Sequence, residues 1–199
     1  MASIIGFSNY RKLGSLRKVI VWYSIFLLAI QGSASVLALK SMNNMSLLRI
    51  YTFVDLIMIY AFYDRLFKGF VSRLYPFLLV ASGLVLMFTH DFSFEAKGFD
   101  SFNLTVKSSI AIIFSVSGYV FIMNHYVVND RQKKLNGIDW INSGIFLYNS
   151  SGLLLFYFGK TIFEFLPEEL SRYTWLIHSF FAFVMYVCFT VGLWRSPKR

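Results

Sequence analysis

The 199-residue chain is 57% hydrophobic and only 15% charged, and its mean hydropathy is +0.59. Soluble domains contain about 25% charged residues, so this composition excludes an ordinary soluble domain and indicates an integral membrane protein with the lipid bilayer as its first partner. The single cysteine, Cys188, excludes an intramolecular disulfide.

Six apolar segments have about the length of a membrane-crossing helix, which needs about 20 residues to span a hydrocarbon core of about 30 Å. In chain order, the segments are 19–39, 47–63, 74–88, 108–127, 140–159 and 173–194. The third segment is the shortest, and Pro76 falls in its first turn, where a missing N–H is tolerated. We therefore expect an all-α fold, a polytopic bundle of six transmembrane helices that forms a single integral membrane domain over residues 1–199.

The N-terminal region permits two further interpretations. The opening "MASIIGF" is too short to cross a membrane, but it is compatible with the remnant of a seventh helix. The basic stretch "RKLGSLRK", followed by an apolar run and "GSAS", also imitates a signal peptide with cleavage near Ser33–Ser35. We favour a retained first span because the apolar run continues through Val36–Leu39.

Basic residues are distributed unevenly between the two sides of this six-span arrangement. With both termini on one side, the opposite side receives six of the 19 Lys and Arg residues, namely Lys40, Arg49, Lys97, Lys107, Lys160 and Arg172. Because basic loops favour the cytoplasmic side, the pattern predicts that both termini are cytoplasmic. The excess of basic residues behind the net charge of +9 is then explained by the membrane topology, and we expect no nucleic-acid partner.

Asp55 is the one carboxylate within the apolar run "IYTFVDLIMIYAFY". An ionised Asp at the centre of a transmembrane helix costs about 2.5–3.5 kcal/mol. Its side chain must therefore face the bundle interior, find a partner or bind a proton. Two roles remain open at this point: a functional site, or an interhelical hydrogen bond that only orders the bundle.

Polar residues in the other spans are candidate partners for Asp55. We rank His178 first because it lies in the outer third of the last span, about one helical turn from the depth of Asp55. Such a pair would form a polar centre, reached from the outer side, that suits a proton, a cation or a small polar ligand. Further members of this centre are expected to be Asn149, Gln31, Tyr51 and Ser117. The three histidines lack the spacing of metal ligands, so we predict neither a metal nor a cofactor.

Three segments carry short motifs that point to a known group of proteins. They are "NNMSLLRIYTFVDLIMIYAF", with an acid after "IYT", "IDWINSGIFLYNSSGLLLFYFG", opened by Trp-Ile-Asn, and "YTWLIHSFFAFVMYV", opened by "W-x-I-H". In these motifs the chain resembles small bacterial polytopic membrane proteins of six to seven spans, often encoded beside sensor histidine kinases. The resemblance implies a location in a bacterial inner membrane and a sensor kinase as partner. It also implies functional roles for Asp55, Trp140, Asn142 and His178. Members more often carry Glu at the position of Asp55.

These features favour a small sensory or accessory module that recognises a ligand at its outer face and acts through a partner. The alternative is a small transporter or proton-coupled permease that uses the same Asp and His site, although the spans lack the paired Gly/Pro breaks of many carriers. A membrane-embedded lipid enzyme ranks last because the sequence offers no second acid near Asp55, and we assign no catalytic residue. The sequence leaves open the ligand, the partner and assembly into a homo-oligomer.

We expect a membrane-impermeant amine reagent to modify Lys97 on intact cells, because its loop is predicted to lie outside. Lys133 and Lys134 should react only after the membrane is permeabilised, because their loop is predicted to be cytoplasmic. Mass spectrometry of the modified peptides measures both reactions. Modification of Lys133 and Lys134 on intact cells, with Lys97 protected, would reverse the predicted orientation.

Overall fold

Six α-helices make up most of the structure, a computed structural model that describes residues 10–40, 45–90, 100–128, 135–158 and 168–195 together with residues 2, 6, 7 and 42. A 3-10 turn precedes the helices. The helices are α1 (Ser15–Leu39), α2 (Met45–Leu66), α3 (Leu74–His90), α4 (Ser101–Val128), α5 (Ile138–Tyr157) and α6 (Glu168–Trp194). Within the described ranges, the only β-type pairing is an isolated bridge between Lys68 and Val71. Most of "MASIIGF" lies outside the described residues.

Each helix overlaps one of the predicted segments, in the predicted order, so the all-helical class is confirmed. Within the described residues, four helices contain stretches long and apolar enough to cross a membrane: Ser15–Leu37, Ser46–Leu66, Ser101–Asn124 and Leu176–Trp194. At 17 residues, α3 is only about 26 Å long. The 20-residue α5 is not among these four stretches, and it includes Asp139, Asn142 and Asn149. The molecule is thus a helical membrane protein with four strong candidate spans.

The start of α4 differs from the sequence prediction. We expected the fourth span to begin at residue 108, but the helix begins at Ser101 and is capped by Asp100. The Asp100 carboxylate accepts hydrogen bonds from the backbone nitrogen of Asn103 at 3.2 Å and from its side-chain nitrogen at 2.7 Å, as expected of an acidic N-cap. Lys107, which we had assigned to the outer loop, therefore lies inside the helix and is completely buried. The charge bias behind the orientation prediction does not depend on this residue.

Helices α2 and α3, which are neighbours in the chain, run in opposite directions. Phe53, near the start of α2, lies 5.3 Å from Phe88, near the end of α3, between ring centroids. Two polar contacts mark the ends of the bundle. The Arg49–Asp100 end is defined by an ion pair of 3.5 Å, and the Arg17–Asn136 end by a hydrogen bond of 2.8 Å from Arg17 to the Asn136 carbonyl oxygen.

The helices differ in how closely they pack. Helix α5 packs extensively against both α4 and α6, and α2 contacts α1, α3 and α4. Contact between α1 and α6 is sparse, although the rings of Tyr23 and Phe189 meet with centroids 5.7 Å apart. The contact between α1 and α6 is therefore much less extensive than that of α5 with α4 or α6, and the candidate site lies beside it.

Gly144 permits the close approach of α5 to α6. A Cβ atom at this position would lie 2.8 Å from the Cβ of Cys188 and 3.2 Å from the carbonyl oxygen of Met185. The latter is backbone and cannot move aside alone. Cys188 is a buried packing residue of α6 at this contact.

We expect Gly144→Ala to lower the free energy of unfolding by about 1–3 kcal/mol, the usual cost of overpacking a close contact. The matched control is Gly32→Ala, because a Cβ at Gly32 meets no atom within 4 Å and should be neutral or stabilising by up to about 1 kcal/mol. Thermal unfolding of both variants in one detergent measures the difference. Equal stability of the two variants would contradict the close packing of α5 on α6.

Candidate functional site

A buried ion pair lies at the middle of the bundle. The Nζ atom of Lys107 is 2.8 Å from Oδ2 of Asp55, and both side chains are 0% exposed. The Tyr23 hydroxyl donates a hydrogen bond to the other carboxylate oxygen, Oδ1. These three residues come from α4, α2 and α1, so a single carboxylate links three helices.

Each of these two buried charges needs the other as its counter-ion. Moving one charge out of water without a partner costs several kcal/mol, and an oppositely charged group at hydrogen-bond distance offsets much of that cost. Asp55 has both oxygens bonded, one to an ammonium group and one to a phenol. The carboxylate that the sequence singled out is therefore satisfied as an anion.

Aromatic rings surround the Lys107 ammonium group. Its Nζ atom lies 5.2 Å from the ring centroid of Tyr51, 5.5 Å from that of Tyr148 and 5.7 Å from that of Phe156. Cations within about 6 Å of a ring centroid are attracted by the negative face of the ring. The rings, which come from α2 and α5, thus supplement the carboxylate as an environment for the cation.

His178 joins this cluster through a tyrosine. Its Nε2 atom is 3.1 Å from the Tyr148 hydroxyl, which in turn lies 3.0 Å from the Tyr51 hydroxyl. The predicted pair of Asp55 with His178 is thus replaced by a pair of Asp55 with Lys107, and His178 hydrogen-bonds Tyr148 instead. The physical reason is that the extended N-terminal part of α4 brings an ammonium group to the carboxylate.

A cavity of about 530 Å³ lies beside the ion pair, between α1, α2, α5 and α6. It is lined by Leu27, Ile30, Gln31, Ala34, Ser35, Leu47, Leu48, Tyr51, Tyr148, His178, Ser179, Ala182, Phe183, Met185 and Tyr186. Tyr51 and Tyr148 belong both to this lining and to the rings around Lys107. The two tyrosines therefore form a shared wall between the cavity and the ion pair. We call this space the α1–α6 cavity.

The structure brings together some of the predicted site residues and separates others. Gln31, Tyr51 and His178 line the α1–α6 cavity, next to Asp55. Asn149 is fully buried on α5, where its side-chain nitrogen donates to the Ile145 carbonyl oxygen at 2.8 Å. Ser117 lies elsewhere, 2.9 Å from the Tyr75 hydroxyl.

A second buried polar cluster contains the Asn142 that the resemblance singled out. The Tyr63 hydroxyl donates to Oδ1 of Asn142 at 2.6 Å and lies 2.9 Å from the Ser115 hydroxyl. The Asn142 side-chain nitrogen donates to the Ser115 carbonyl oxygen at 3.0 Å. All groups in this cluster are neutral and mutually bonded, so it orders α2, α4 and α5 without an unsatisfied group to offer a ligand.

Trp140, also singled out by the resemblance, lies near the start of α5 and is 36% exposed. The guanidinium carbon of Arg195 is 5.3 Å from its ring centroid. This position at the Arg17–Asn136 end separates Trp140 from both the ion pair and the α1–α6 cavity.

Sequence reasoning missed Lys107, Tyr23 and Tyr148. The sequence did contain a signal for the first of these, because an Asp-Ser-Phe-Asn start is typical of a capped helix. A helix that begins there places Lys107 nearly two turns inside. No local pattern indicated the two tyrosines, since their roles depend on helices that are distant in the sequence.

Among the described residues, no group of three or more His, Cys, Asp or Glu side chains is placed to hold a metal ion. Comparison of the chain with protein-family models, curated proteins and solved structures gives no match. Function is therefore inferred from the geometry of the ion pair and the cavity.

We expect Asp55→Asn to lower the free energy of unfolding by about 3–5 kcal/mol, because it leaves the Lys107 ammonium buried without its counter-ion. Lys107→Met should have a similar effect, because it leaves the Asp55 carboxylate buried without its counter-ion. Asp55→Asn combined with Lys107→Met should recover most of the loss, since no unpaired charge remains. Unfolding of the two single variants and the double variant in detergent micelles measures the three losses in free energy and the coupling energy between the two positions.

The control for this series is Asp64→Asn on the same helix. Asp64 is only partly buried, and its substitution should change stability by about 0.5 kcal/mol or less. Additive losses in the double variant would show that the two charges do not depend on each other.

Proposed function

We propose that this protein is a small membrane-embedded sensory module that binds a ligand in the α1–α6 cavity and acts through a membrane partner. The observation that carries the proposal is the cavity itself. Its volume of about 530 Å³ lies within the range of about 300–1,000 Å³ that is common for small-molecule sites. It combines an apolar lining with a few polar side chains, as such sites do.

The shared wall supplies a route from ligand to helix packing. A ligand that displaces the ring of Tyr51 or Tyr148 changes the surroundings of the Lys107 ammonium group. Lys107 is held to Asp55, and Asp55 connects three helices. Binding can therefore favour one arrangement of these helices over another, provided that the ligand has different affinities for the two.

The proposal places all six helices across a bacterial inner membrane, with both termini in the cytoplasm. Its support is the excess of basic residues in the segments assigned to the cytoplasmic side. In this orientation the Arg49–Asp100 end faces outward and the cavity occupies the outer half of the bundle. The proposed partner is a sensor kinase, on the strength of the resemblance described above, and the module's own oligomeric state is left open.

A proton-coupled transporter is the second candidate, and one observation favours it. A chain of hydrogen-bonding groups runs through His178, Tyr148 and Tyr51. It leads from the cavity to the aromatic ring of Tyr51, which lies beside the Lys107 ammonium group. The complete burial of both charges argues for the sensory module, because a carrier must expose its site in turn to each side.

A filled cavity tests the sensory proposal. Ala34 lines the cavity, and Ala34→Trp places a large ring in it. Ala29 lies on the same helix, is exposed and does not line the cavity. Ala29→Trp is therefore the matched control. We expect the small molecules that co-purify from native membranes with the wild type and with Ala29→Trp to fall about tenfold or more in Ala34→Trp, equal to about 1.4 kcal/mol of binding free energy.

Membrane accumulation of the two variants must be equal for this comparison. Equal recovery of small molecules from both variants would contradict ligand binding in the cavity. Partner capture from the same membranes then tests the second half of the proposal, with a kinase expected in wild type and reduced capture in Ala34→Trp. Proton uptake by proteoliposomes that His178→Ala abolishes would instead support the transporter.

A further inference from the structure

The lining of the α1–α6 cavity carries no fixed charge. None of its residues is Asp, Glu, Lys or Arg. The nearest charges, Asp55 and Lys107, neutralise each other behind the wall of Tyr51 and Tyr148. A charged ligand group placed in the cavity would find no counter-ion, and burying it would be costly. The cavity therefore favours an uncharged ligand.

Tyr186 gives the cavity a specific hydrogen-bonding group. Its hydroxyl oxygen is buried and has no hydrogen-bond partner among the described residues, and the residue lines the cavity. The hydroxyls of Tyr51 and Tyr148, by contrast, lie within hydrogen-bond distance of each other. A buried polar group without a partner is unfavourable. The hydroxyl oxygen has almost no accessible surface, so a ligand oxygen that accepts from Tyr186 would remove this cost once the ring turns toward the cavity.

With the helices placed across the bilayer as proposed above, the opening of the cavity faces the lipid. The exposed residues of its lining are Gln31 and Ser35 on α1 and Ser179 and Phe183 on α6, and Phe183 is 65% exposed. All four lie within Ser15–Leu37 or Leu176–Trp194, the stretches long and apolar enough to cross a membrane. A gap between two such helices, where their contact is sparse, opens to hydrocarbon rather than to water. A ligand that enters here must partition into the membrane first.

From these observations we infer that the α1–α6 cavity binds a neutral, lipid-phase amphipath with a carbonyl-type head that accepts a hydrogen bond from Tyr186. Its apolar tail follows the gap between α1 and α6 toward the bilayer. This inference rests on the proposed function and names the ligand class of the same site. It differs from the small polar ligand, reached from the outer side, that the sequence predicted.

Photo-crosslinking in nanodiscs tests this assignment with the full chain. The probe is the methyl ester of a ten-carbon fatty acid that carries a diazirine at the tail end. The comparison probe is the sulfonic acid with the same tail, which stays anionic at the membrane interface, where desolvation would raise the pKa of a carboxyl group. Mass spectrometry of the labelled peptides locates the probes, and competition with unlabelled methyl ester separates specific labelling from insertion by lipid-phase collisions.

We expect the ester to label residues 27–35 and 179–186 in a competable manner, and the acid to label them several-fold less. Tyr186→Phe, which removes only the hydroxyl, should weaken the apparent affinity for the ester about fivefold, the effect of losing one neutral hydrogen bond. Tyr173→Phe is the matched control on the same helix, because Tyr173 is 65% exposed and outside the lining. It should leave labelling unchanged.

Two results would overturn the inference. One is labelling by the acid that equals or exceeds labelling by the ester, which would mean that the cavity accepts a charged head. The other is an unchanged affinity in Tyr186→Phe. If Ala34→Trp still loses co-purifying small molecules while the ester fails to label the cavity, the ligand class is wrong and the proposed function stands. If neither experiment detects a ligand, both are contradicted.

Discussion

Two opposite charges buried in an apolar bundle must remain within hydrogen-bond distance of each other, and this constraint organises the centre of the protein. Lys107 and Asp55 meet at 2.8 Å with no solvent exposure, so α2 and α4 cannot shift much relative to each other without exposing a charge to a low-dielectric surround. Tyr23 adds α1 to the same contact. The result is a fixed contact among α1, α2 and α4 at the centre of the bundle.

The bundle has a closely held side and a loose side, and the two polar clusters account for the difference. Tyr63, Ser115 and Asn142 satisfy one another and hold α2, α4 and α5 together with neutral hydrogen bonds. Helices α1 and α6 meet through the rings of Tyr23 and Phe189, and their contact is sparse. A cavity forms where packing is sparse, so the same distribution of polar groups explains both the rigid core and the location of the site.

Tyr51 and Tyr148 connect the site to the core because each contacts both the cavity and the surroundings of the ion pair. Their rings face the Lys107 ammonium group on one side and line the α1–α6 cavity on the other. Their hydroxyls lie 3.0 Å apart, so a movement of one ring is transmitted to the other. A change in the cavity therefore reaches the ion pair through two side chains, without any charge having to leave the protein interior.

Composition and apolar length determined the helical membrane class, because a chain with so few charges cannot cover a soluble surface and each long apolar run suits a hydrocarbon surround. They also determined that Asp55 needs a partner. Only the tertiary structure decided that the partner is Lys107, which is distant in sequence, rather than His178. The order and rotation of helices around a bundle are set by packing over the whole interface, and no local pattern in the sequence contains that information.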